Sequence, residues 1–382
     1  MGRLIAIRRG SGAALVALSF AVAAPGPAAA QSSADRANRG LVEVVTSDAD
    51  GGALLMVQDL AAVLDDGATR RILPVVGKGS VQTIMDLRAL RGTDAAIIQT
   101  DVIKIARERD RLIGPEASVT YVARLYDEEL HILARPEIGR LEDLAGKKVI
   151  LGGGAAVTAL AVFDALKIKI DPVDKDVAAA LADLRSGRVA AAAYVAAKPT
   201  PLFYGISAES GLHFLAVPMR AELASAYAPG RLTADDYPGL VRADAPVDTL
   251  AVGTVLMVAG LQPSTERYRN VSAFVDAFFT QFDRLQEAPR SAKWREVNIA
   301  ADFPGWRRFP PADAWLKRNG TATAAVAQSA PAATPVDEAQ MKAMFRKFLD
   351  QRLRLSGGQP LSPQEEDQLF NQFRRWQNAQ AR

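Results

Sequence analysis

From residue 41 onward, segments typical of buried strands alternate with segments typical of helices. Strands that alternate with helices of about 10 to 15 residues favour a parallel sheet whose connections are crossover helices. The alternation therefore predicts an α/β fold. In the first part of the chain, the predicted strands are residues 41–46, 71–76 and 95–98, and the predicted helices are residues 53–64 and a segment opened by Gly77, Lys78 and Gly79.

The alternation begins again after two further predicted strands. Two series in one chain predict two lobes, and we expect residues 31–128 and 235–318 to form a discontinuous first lobe and residues 129–234 to form the second. In the late helix, Phe274 and Phe278 recur at helical spacing, which indicates core packing rather than a cofactor site. These later predicted strands are residues 119–125, 130–134, 148–151, 189–195 and 250–258, and the predicted helices are residues 155–166 and 265–286.

Residues 1–30 have the pattern of a secretory signal peptide. Arg3, Arg8 and Arg9 precede an apolar stretch that is too short to span a membrane, and small residues end the segment at Ala30. We expect cleavage near Ala30 and a periplasmic protein. The 382-residue chain has a formal charge of +3, which these arginines supply in full, so the remainder gives no reason to expect nucleic acid as a partner. The absence of cysteine excludes disulfides, thiolate metal sites and a lipid-anchored amino-terminal cysteine.

The end of the chain has a different composition. Residues 319–335 are rich in alanine and proline and predict a linker. Residues 336–382 predict a tail of two short amphipathic helices, the second of which begins with a capping box from Ser362 to Glu365. Two such helices bury little surface alone, so they either pack back on the body of the protein or dock to a partner.

Five segments resemble, in the same order, the TAXI family of periplasmic solute receptors. That family serves TRAP-type secondary transporters and has the two-lobed type II periplasmic binding protein fold. The resemblance therefore implies this fold, with a hinge between the lobes, and a receptor that delivers a small solute to a TRAP-type transporter. The matching segments are residues 77–82 (GKGSVQ), 94–101 (DAAIIQTD), 125–135 (LYDEELHILAR), 141–149 (LEDLAGKKV) and 195–201 (VAAKPTP).

The candidate site lies in loops that follow predicted strands and precede helices. In an open α/β sheet, ligands bind beyond the carboxyl ends of the strands. Glycines allow close approach of the backbone, and free helix amides suit a carboxylate or a phosphate, although the glycine cluster at residues 152–154 is also compatible with a simple tight turn. The predicted ligand-binding residues are Ser47, Gly51, Gly52, Lys78, Gly79, Ser80, Gln99, Thr100 and Asp101 on the first lobe, and Gly153, Gly154, Thr158, Tyr194 and Lys198 on the second.

Two segments depart from the family pattern. Leu54 and Leu55 stand where members often carry aromatic residues, and Ala155, Ala156 and Val157 stand where members often carry Ser or Thr with a basic residue. Either backbone amides with Lys78 or Lys198 suffice to hold the ligand, or the ligand is larger and less polar than usual, or the site has decayed. We expect a small ligand that is anionic or amphipathic.

The sequence contains no catalytic or cofactor motif that assembles a reaction centre. There is no G-x-S-x-G elbow, no H-E-x-x-H helix and no Walker loop. His131 lies within a predicted strand, which favours a structural role, and Asp48 with Asp50 favours a turn and helix cap over a calcium loop. We therefore expect a binding protein without cofactor or metal. The alternative is a scaffold or sensor that reuses the receptor fold and docks a periplasmic or membrane-bound partner through its tail.

Overall fold

The computed structural model describes residues 38–47, 52–108, 119–152, 155–175 and 177–326. The predicted signal peptide, the predicted tail and most of the predicted linker lie outside these ranges. The described residues form a mixed α/β structure built on a ten-stranded sheet, which confirms the predicted fold class.

The first part of the chain forms a parallel half of this sheet. Its strands are β1 (Leu41–Thr46), β2 (Arg71–Val76) and β3 (Thr93–Gln99), and its helices are α1 (Gly52–Leu64), α2 (Ser80–Ala89) and α3 (Thr100–Glu108). β1 lies between β2 and β3 and is parallel to both. Adjacent residues of a strand point to opposite faces, so the burial of both Val44 and Val45 places packed side chains on both faces of β1.

The second part of the chain forms another parallel half. Its strands are β5 (Lys148–Leu151), β6 (Asp171–Asp174) and β7 (Ala191–Ala196), and its connecting helices are α4 (Ala155–Ala165) and α5 (Val177–Arg185). β5 lies between β6 and β7 and is parallel to both. Short 3-10 helices occur at Leu141–Leu144, Pro201–Phe203, Ala208–Ser210 and Ala292–Glu296. β6 and α5 were not predicted from the sequence.

Two long antiparallel strands join the halves. They are β4 (Val119–Ala134) and β10 (Val247–Ala259), and the order across the sheet is β2-β1-β3-β10-β4-β7-β5-β6. Two short strands lie beside this path: β8 (His213–Phe214) pairs with β4, and β9 (Ala228–Leu232) pairs with β10. The prediction of two separate strands at residues 119–125 and 130–134 was wrong, because β4 continues through the acidic residues between them.

Buried side chains form different cores on the two halves. Leu256 belongs to the core of the first half, whereas Leu250 on the same strand belongs to the core of the second. On β4, Tyr126 belongs to the core of the first half and Leu130 to the core of the second, so the boundary between the two cores falls between these residues. The two long strands therefore enter both cores. A further cluster around Ile98 covers the other face of the first half.

The aromatic residues of the late helix pack into the first core. This helix is α6 (Glu266–Thr280), and it begins at Thr265, whose side chain accepts a hydrogen bond from the Tyr268 amide. Phe274 and Phe278 are fully buried, which confirms core packing. The helix ends at Gln281, earlier than predicted, and a short helix α7 (Phe282–Leu285) follows.

The last described helix is α8 (Pro310–Val326), with proline at its first position, where a missing amide hydrogen costs nothing. Residues 319–326 are therefore helical, and the predicted linker begins too early. Their alanines, interpreted as linker composition, have the highest intrinsic helix propensity. None of the helices in the described ranges combines the length and apolar character needed to cross a membrane.

Candidate functional site

A buried hydrogen-bond chain lies at the carboxyl end of the first half-sheet. The Ser80 hydroxyl, in the first turn of α2, donates to the Gln99 side-chain oxygen at 2.9 Å and lies 3.1 Å from the Ser47 hydroxyl. The Gly79 amide donates to the Ser47 carbonyl at 2.6 Å, with φ of 92° at Gly79. The structure thus brings together Ser47, Gly79, Ser80 and Gln99, as β1, β2 and β3 end at one edge.

The chain continues from Gln99 onto the crossing strand β4. The Gln99 side-chain amide donates to Glu128 at 2.8 Å, and the Tyr126 hydroxyl donates to the other oxygen of the same carboxylate at 3.1 Å. Glu128 is 2% exposed. Sequence reasoning missed Tyr126 and Glu128 as site residues. The usable signal was the run of three acidic residues at 127–129 inside an otherwise apolar strand.

Glu129 points to the opposite face of β4 and is also buried. Its carboxylate lies 3.4 Å from the Lys293 ammonium and accepts a hydrogen bond from the Lys198 amide at 3.1 Å. Burial raises the pKa of Glu129 to about 7, against the lowering effects of Lys293 and Lys198. Desolvation lowers the pKa of Lys293, but Glu129 and Glu296 outweigh it and raise that pKa.

Lys198 adds a second ion pair at this position. Its ammonium lies 3.0 Å from the buried Asp236 carboxylate and donates to the Arg231 carbonyl at 2.5 Å. Lys198, predicted as a free cation for a ligand, is therefore engaged by the protein itself. Lys78, the other predicted cation, is exposed in the turn between β2 and α2.

Asp101, at the start of α3, lies between the two halves. It is 3% exposed; the Tyr227 hydroxyl donates to one carboxylate oxygen at 3.0 Å, and the Val102 amide donates to the other at 2.7 Å. Burial raises the pKa of Asp101, opposed by the nearby Thr158 hydroxyl and by the hydrogen bond from Tyr227. Burial and Asp101 together raise the pKa of Tyr227 above its ordinary value. Sequence reasoning missed Tyr227, which lies just before β9 without a local motif.

Thr158 reaches the same place from α4 of the second half. Its side chain is buried and lies near enough to Asp101 to lower the pKa of that carboxyl. The Thr158 hydroxyl nevertheless has no partner in hydrogen-bond geometry. Such an unsatisfied buried hydroxyl is uncommon in native proteins. Asp101 and Thr158, which the sequence predicted in separate lobes, therefore face each other.

Small apolar residues of the second half also contact the first. Val157 packs against the cluster around Ile98, and Ala197 packs against the core that contains Leu256. A Cβ placed on Gly52 would lie 2.9 Å from the Ala197 Cβ, so a larger residue at 52 would press on this contact. Near the start of α4, Val157 thus contributes an apolar surface.

The remaining predicted site residues differ in their surroundings. Thr100 is half-buried at the start of α3, whereas Tyr194 is buried in β7 with its ring edge against Phe203. In α1, Leu54 is buried and Leu55 is half-buried. The predicted residues Gly51, Gly153 and Gly154 lie outside the described residues, as do Asp48 and Asp50.

His131 is a core residue. It is fully buried, and its Nε2 lies 2.8 Å from the Tyr237 hydroxyl, with the rings of Phe203 and Phe214 within 6 Å. Burial lowers the pKa of His131 to about 3, so the imidazole is neutral at physiological pH. Within the described ranges, His, Asp and Glu side chains form no group of three or more placed to hold a metal ion.

No curated protein sequence matches the chain. Solved structures with similarity include the substrate-binding protein of an amino acid ABC transporter (14% identity, covering 64% of this chain and 97% of that chain, TM-score 0.39). Another is a TRAP periplasmic solute-binding protein from Citrobacter koseri with bound D-glucuronate (13% identity, covering 76% of this chain and 99% of that chain, TM-score 0.36). A third is the periplasmic binding protein BugD (15% identity, covering 75% of this chain and 96% of that chain, TM-score 0.43). The model of the NMT1-like family matches residues 60–304, more than half of the chain, and the chain therefore belongs to the NMT1-like family.

Proposed function

We propose that this chain is a periplasmic solute-binding receptor that captures a small amphipathic ligand between two lobes and delivers it to a TRAP-type transporter. The observation that carries the proposal is the buried hydrogen-bond chain from Ser47 through Ser80 and Gln99 to Glu128. It begins at the ligand-binding edge of an α/β sheet and ends on a strand that enters both cores.

The two cores suggest how capture would work. We propose that they are the two lobes, and that β4 near residues 127–129 and β10 near residues 252–254 form the hinge. Tyr237 and Val241 pack in the second core, which favours a second lobe that extends to β10 rather than ending at residue 234. A ligand that contacts both lobes would favour the closed state by its differential affinity.

The hydrogen bonds of the glycine turn favour an amphipathic over an anionic ligand. The Gly77 amide donates to the Thr46 carbonyl at 2.8 Å, and the Gly79 amide donates to the Ser47 carbonyl at 2.6 Å. At the start of α3, the Asp101 carboxylate accepts from the Val102 amide. These amides are engaged within the protein, which reduces the capacity of these turns to bind a carboxylate or phosphate.

The described residues support binding rather than catalysis. His131 is neutral and enclosed by aromatic rings, and its hydrogen bond to Tyr237 gives it a structural partner. Lys293 and Lys198 neutralise Glu129 and Asp236. We propose no enzymatic activity, cofactor or metal for this chain.

The proposed location and partner come from the sequence. The signal-peptide pattern at residues 1–30 supports export to the periplasm, and the absence of cysteine supports release without a lipid anchor. The five segments that resemble TAXI receptors support assignment to that group and delivery to a TRAP-type membrane transporter.

Native mass spectrometry of the protein purified from its own periplasm tests the receptor function. We expect a co-purified small molecule that stabilises the protein in a thermal-shift assay. Gln99→Ala should weaken its binding by about tenfold or more, since Gln99 links Ser80 to Glu128. Gln82→Ala, which removes an exposed glutamine whose side-chain amide donates to Asp86, is the matched control. No bound molecule and no thermal shift across acid, amine and amino-acid libraries would contradict the proposal.

A second function rests on the amphipathic pattern of residues 336–382. In it, the receptor fold serves as a scaffold or sensor, and the tail docks a periplasmic or membrane-bound partner. Deleting residues 336–382 separates the two functions. If the deletion abolishes cross-linking to an envelope protein and leaves ligand affinity unchanged, the scaffold function is favoured. If the deletion changes neither cross-linking nor ligand affinity, the scaffold function is excluded.

A further inference from the structure

Asp101 is a buried carboxyl whose hydrogen-bond partners among the described residues are uncharged. Asp101 accepts hydrogen bonds from the Tyr227 hydroxyl and the Val102 amide, both uncharged, and no basic group of the described residues forms an ion pair with it. Four other buried carboxylates each have a cationic partner. These pairs are Asp94 with Arg267, Glu129 with Lys293, Asp183 with Lys175 and Asp236 with Lys198.

The Thr158 hydroxyl supplies a second, independent observation at the same place. It is 1% exposed, lies near the Asp101 carboxyl, and has no partner in hydrogen-bond geometry. Asp101 belongs to the first half of the sheet and Thr158 to the second. Two polar groups with unused hydrogen-bonding capacity therefore meet where the proposed lobes close.

An apolar side chain of the second half packs beside this position. Val157, adjacent to Thr158, packs against the cluster that contains Val102. A charged group of the ligand would therefore meet Asp101 in a region of low dielectric, where an anion is strongly repelled and a cation strongly attracted.

We infer that the ligand presents a protonated nitrogen, as in an amine, amidine or guanidine, to the Asp101 carboxylate and the Thr158 hydroxyl, and an apolar remainder to Val157. This inference rests on the proposed receptor function. The ligand would replace the missing cation of Asp101 and satisfy Thr158 in the same step, and its contacts with both lobes would favour closure.

Calorimetry with matched compounds tests the inference. Isoamylamine and n-pentylamine, each with one protonated nitrogen and an apolar remainder, are compared at pH 7.5 with 4-methylpentanoate and hexanoate, which carry a carboxylate on the same alkyl groups. We expect binding within the cationic set and none within the anionic set. Asp101→Asn, which keeps the size of the side chain, should weaken that binding by about 10- to 100-fold. Asp164→Asn removes the same charge from an exposed position on α4 and should change affinity less than twofold.

Thr158→Val provides a second test of the proposed ligand contact if the Asp101→Asn variant does not fold. It preserves the shape of the side chain, and we expect a several-fold loss of affinity. Tighter binding of the carboxylates, or unchanged affinity in both Asp101→Asn and Thr158→Val, would overturn the inference. An anionic or neutral molecule co-purified with the native protein would also overturn it while leaving the receptor function intact. Absence of any bound molecule or thermal shift would contradict the receptor function itself.

Discussion

Replacing Lys293 with methionine removes the ammonium that lies 3.4 Å from the buried Glu129 carboxylate. Wild-type Glu129 has a folded pKa of about 7 against 4.5 for the unfolded chain, so the folded state favours the protonated form. This contribution to stability is complete below pH 4.5 and is lost as the pH rises to 7. At about 1.4 kcal/mol per pH unit, this loss of stability is roughly 3 kcal/mol. Above pH 7 the contribution of Glu129 to stability is constant.

In Lys293→Met the attraction that lowered the pKa of Glu129 is gone, so its folded pKa moves above 7. The loss of stability then continues above pH 7, by up to about 1.4 kcal/mol per unit. The difference in unfolding free energy between wild type and variant should therefore be small at pH 6 and grow by about 2 to 3 kcal/mol at pH 9. Methionine retains most of the buried side-chain volume, so packing contributes little.

Urea denaturation at pH 6, 7, 8 and 9 measures this difference. In the double variant Glu129→Gln with Lys293→Met, the unfolding free energy should lose the pH dependence that residue 129 contributes, because no titrating carboxyl remains at residue 129. Lys317→Met, which breaks an exposed pair with Asp313, should cost less than about 1 kcal/mol at every pH. A difference between wild type and Lys293→Met that stays constant from pH 6 to pH 9 would refute the coupling.

Three further predictions concern stability. Gly40→Ala should lower the free energy of unfolding by several kcal/mol in urea denaturation, because φ at Gly40 is 68° and the new Cβ would lie 1.7 Å from a backbone oxygen. Gly146→Ala, with φ of 70° and no atom within 4 Å of the new Cβ, should cost about 1 kcal/mol. Equal costs for the two variants would contradict the prediction. Burial raises the pKa of Asp59 to about 6 from 3.8, so the contribution of Asp59 to stability should fall by about 3 kcal/mol as pH rises from 4 to 6. Asp59→Asn should lack this part of the pH dependence in thermal unfolding, and an unchanged dependence would contradict the shift. Phe278→Ala should cost about 3 to 5 kcal/mol, against less than about 1 kcal/mol for the partly exposed Val81→Ala, and similar losses would place Phe278 outside the core.

Local pattern was sufficient for much of the first half-sheet. The predicted strands at 41–46 and 71–76 coincide with β1 and β2, because continuous apolar runs bounded by turn residues depend only on near neighbours. The turn glycines predicted the edge at which Ser47, Ser80 and Gln99 meet. The Ala-rich residues 319–326 show the limit of composition, since alanine is common both in linkers and in helices.

Pattern was insufficient where partners are distant in sequence. Residues 127–129 are acidic, so β4 was predicted as two strands, yet Glu128 and Glu129 are buried within one. Their burial depends on Gln99 and Lys293, and no local feature indicates these partners. The antiparallel direction of β10 between β3 and β4 is likewise a long-range property.

The sequence by itself determined the α/β class, the position of the early strands and the edge of the sheet where polar loops converge, because these follow from periodicity over a few residues. Only the tertiary structure decided which charges are neutralised and which are not. Lys198 is engaged by Asp236, 38 residues away, whereas Asp101 meets Tyr227, 126 residues away, and faces Thr158 without a cation among the described residues. Desolvation and pairing depend on what the folded chain places around a group, and sequence neighbours do not specify those surroundings.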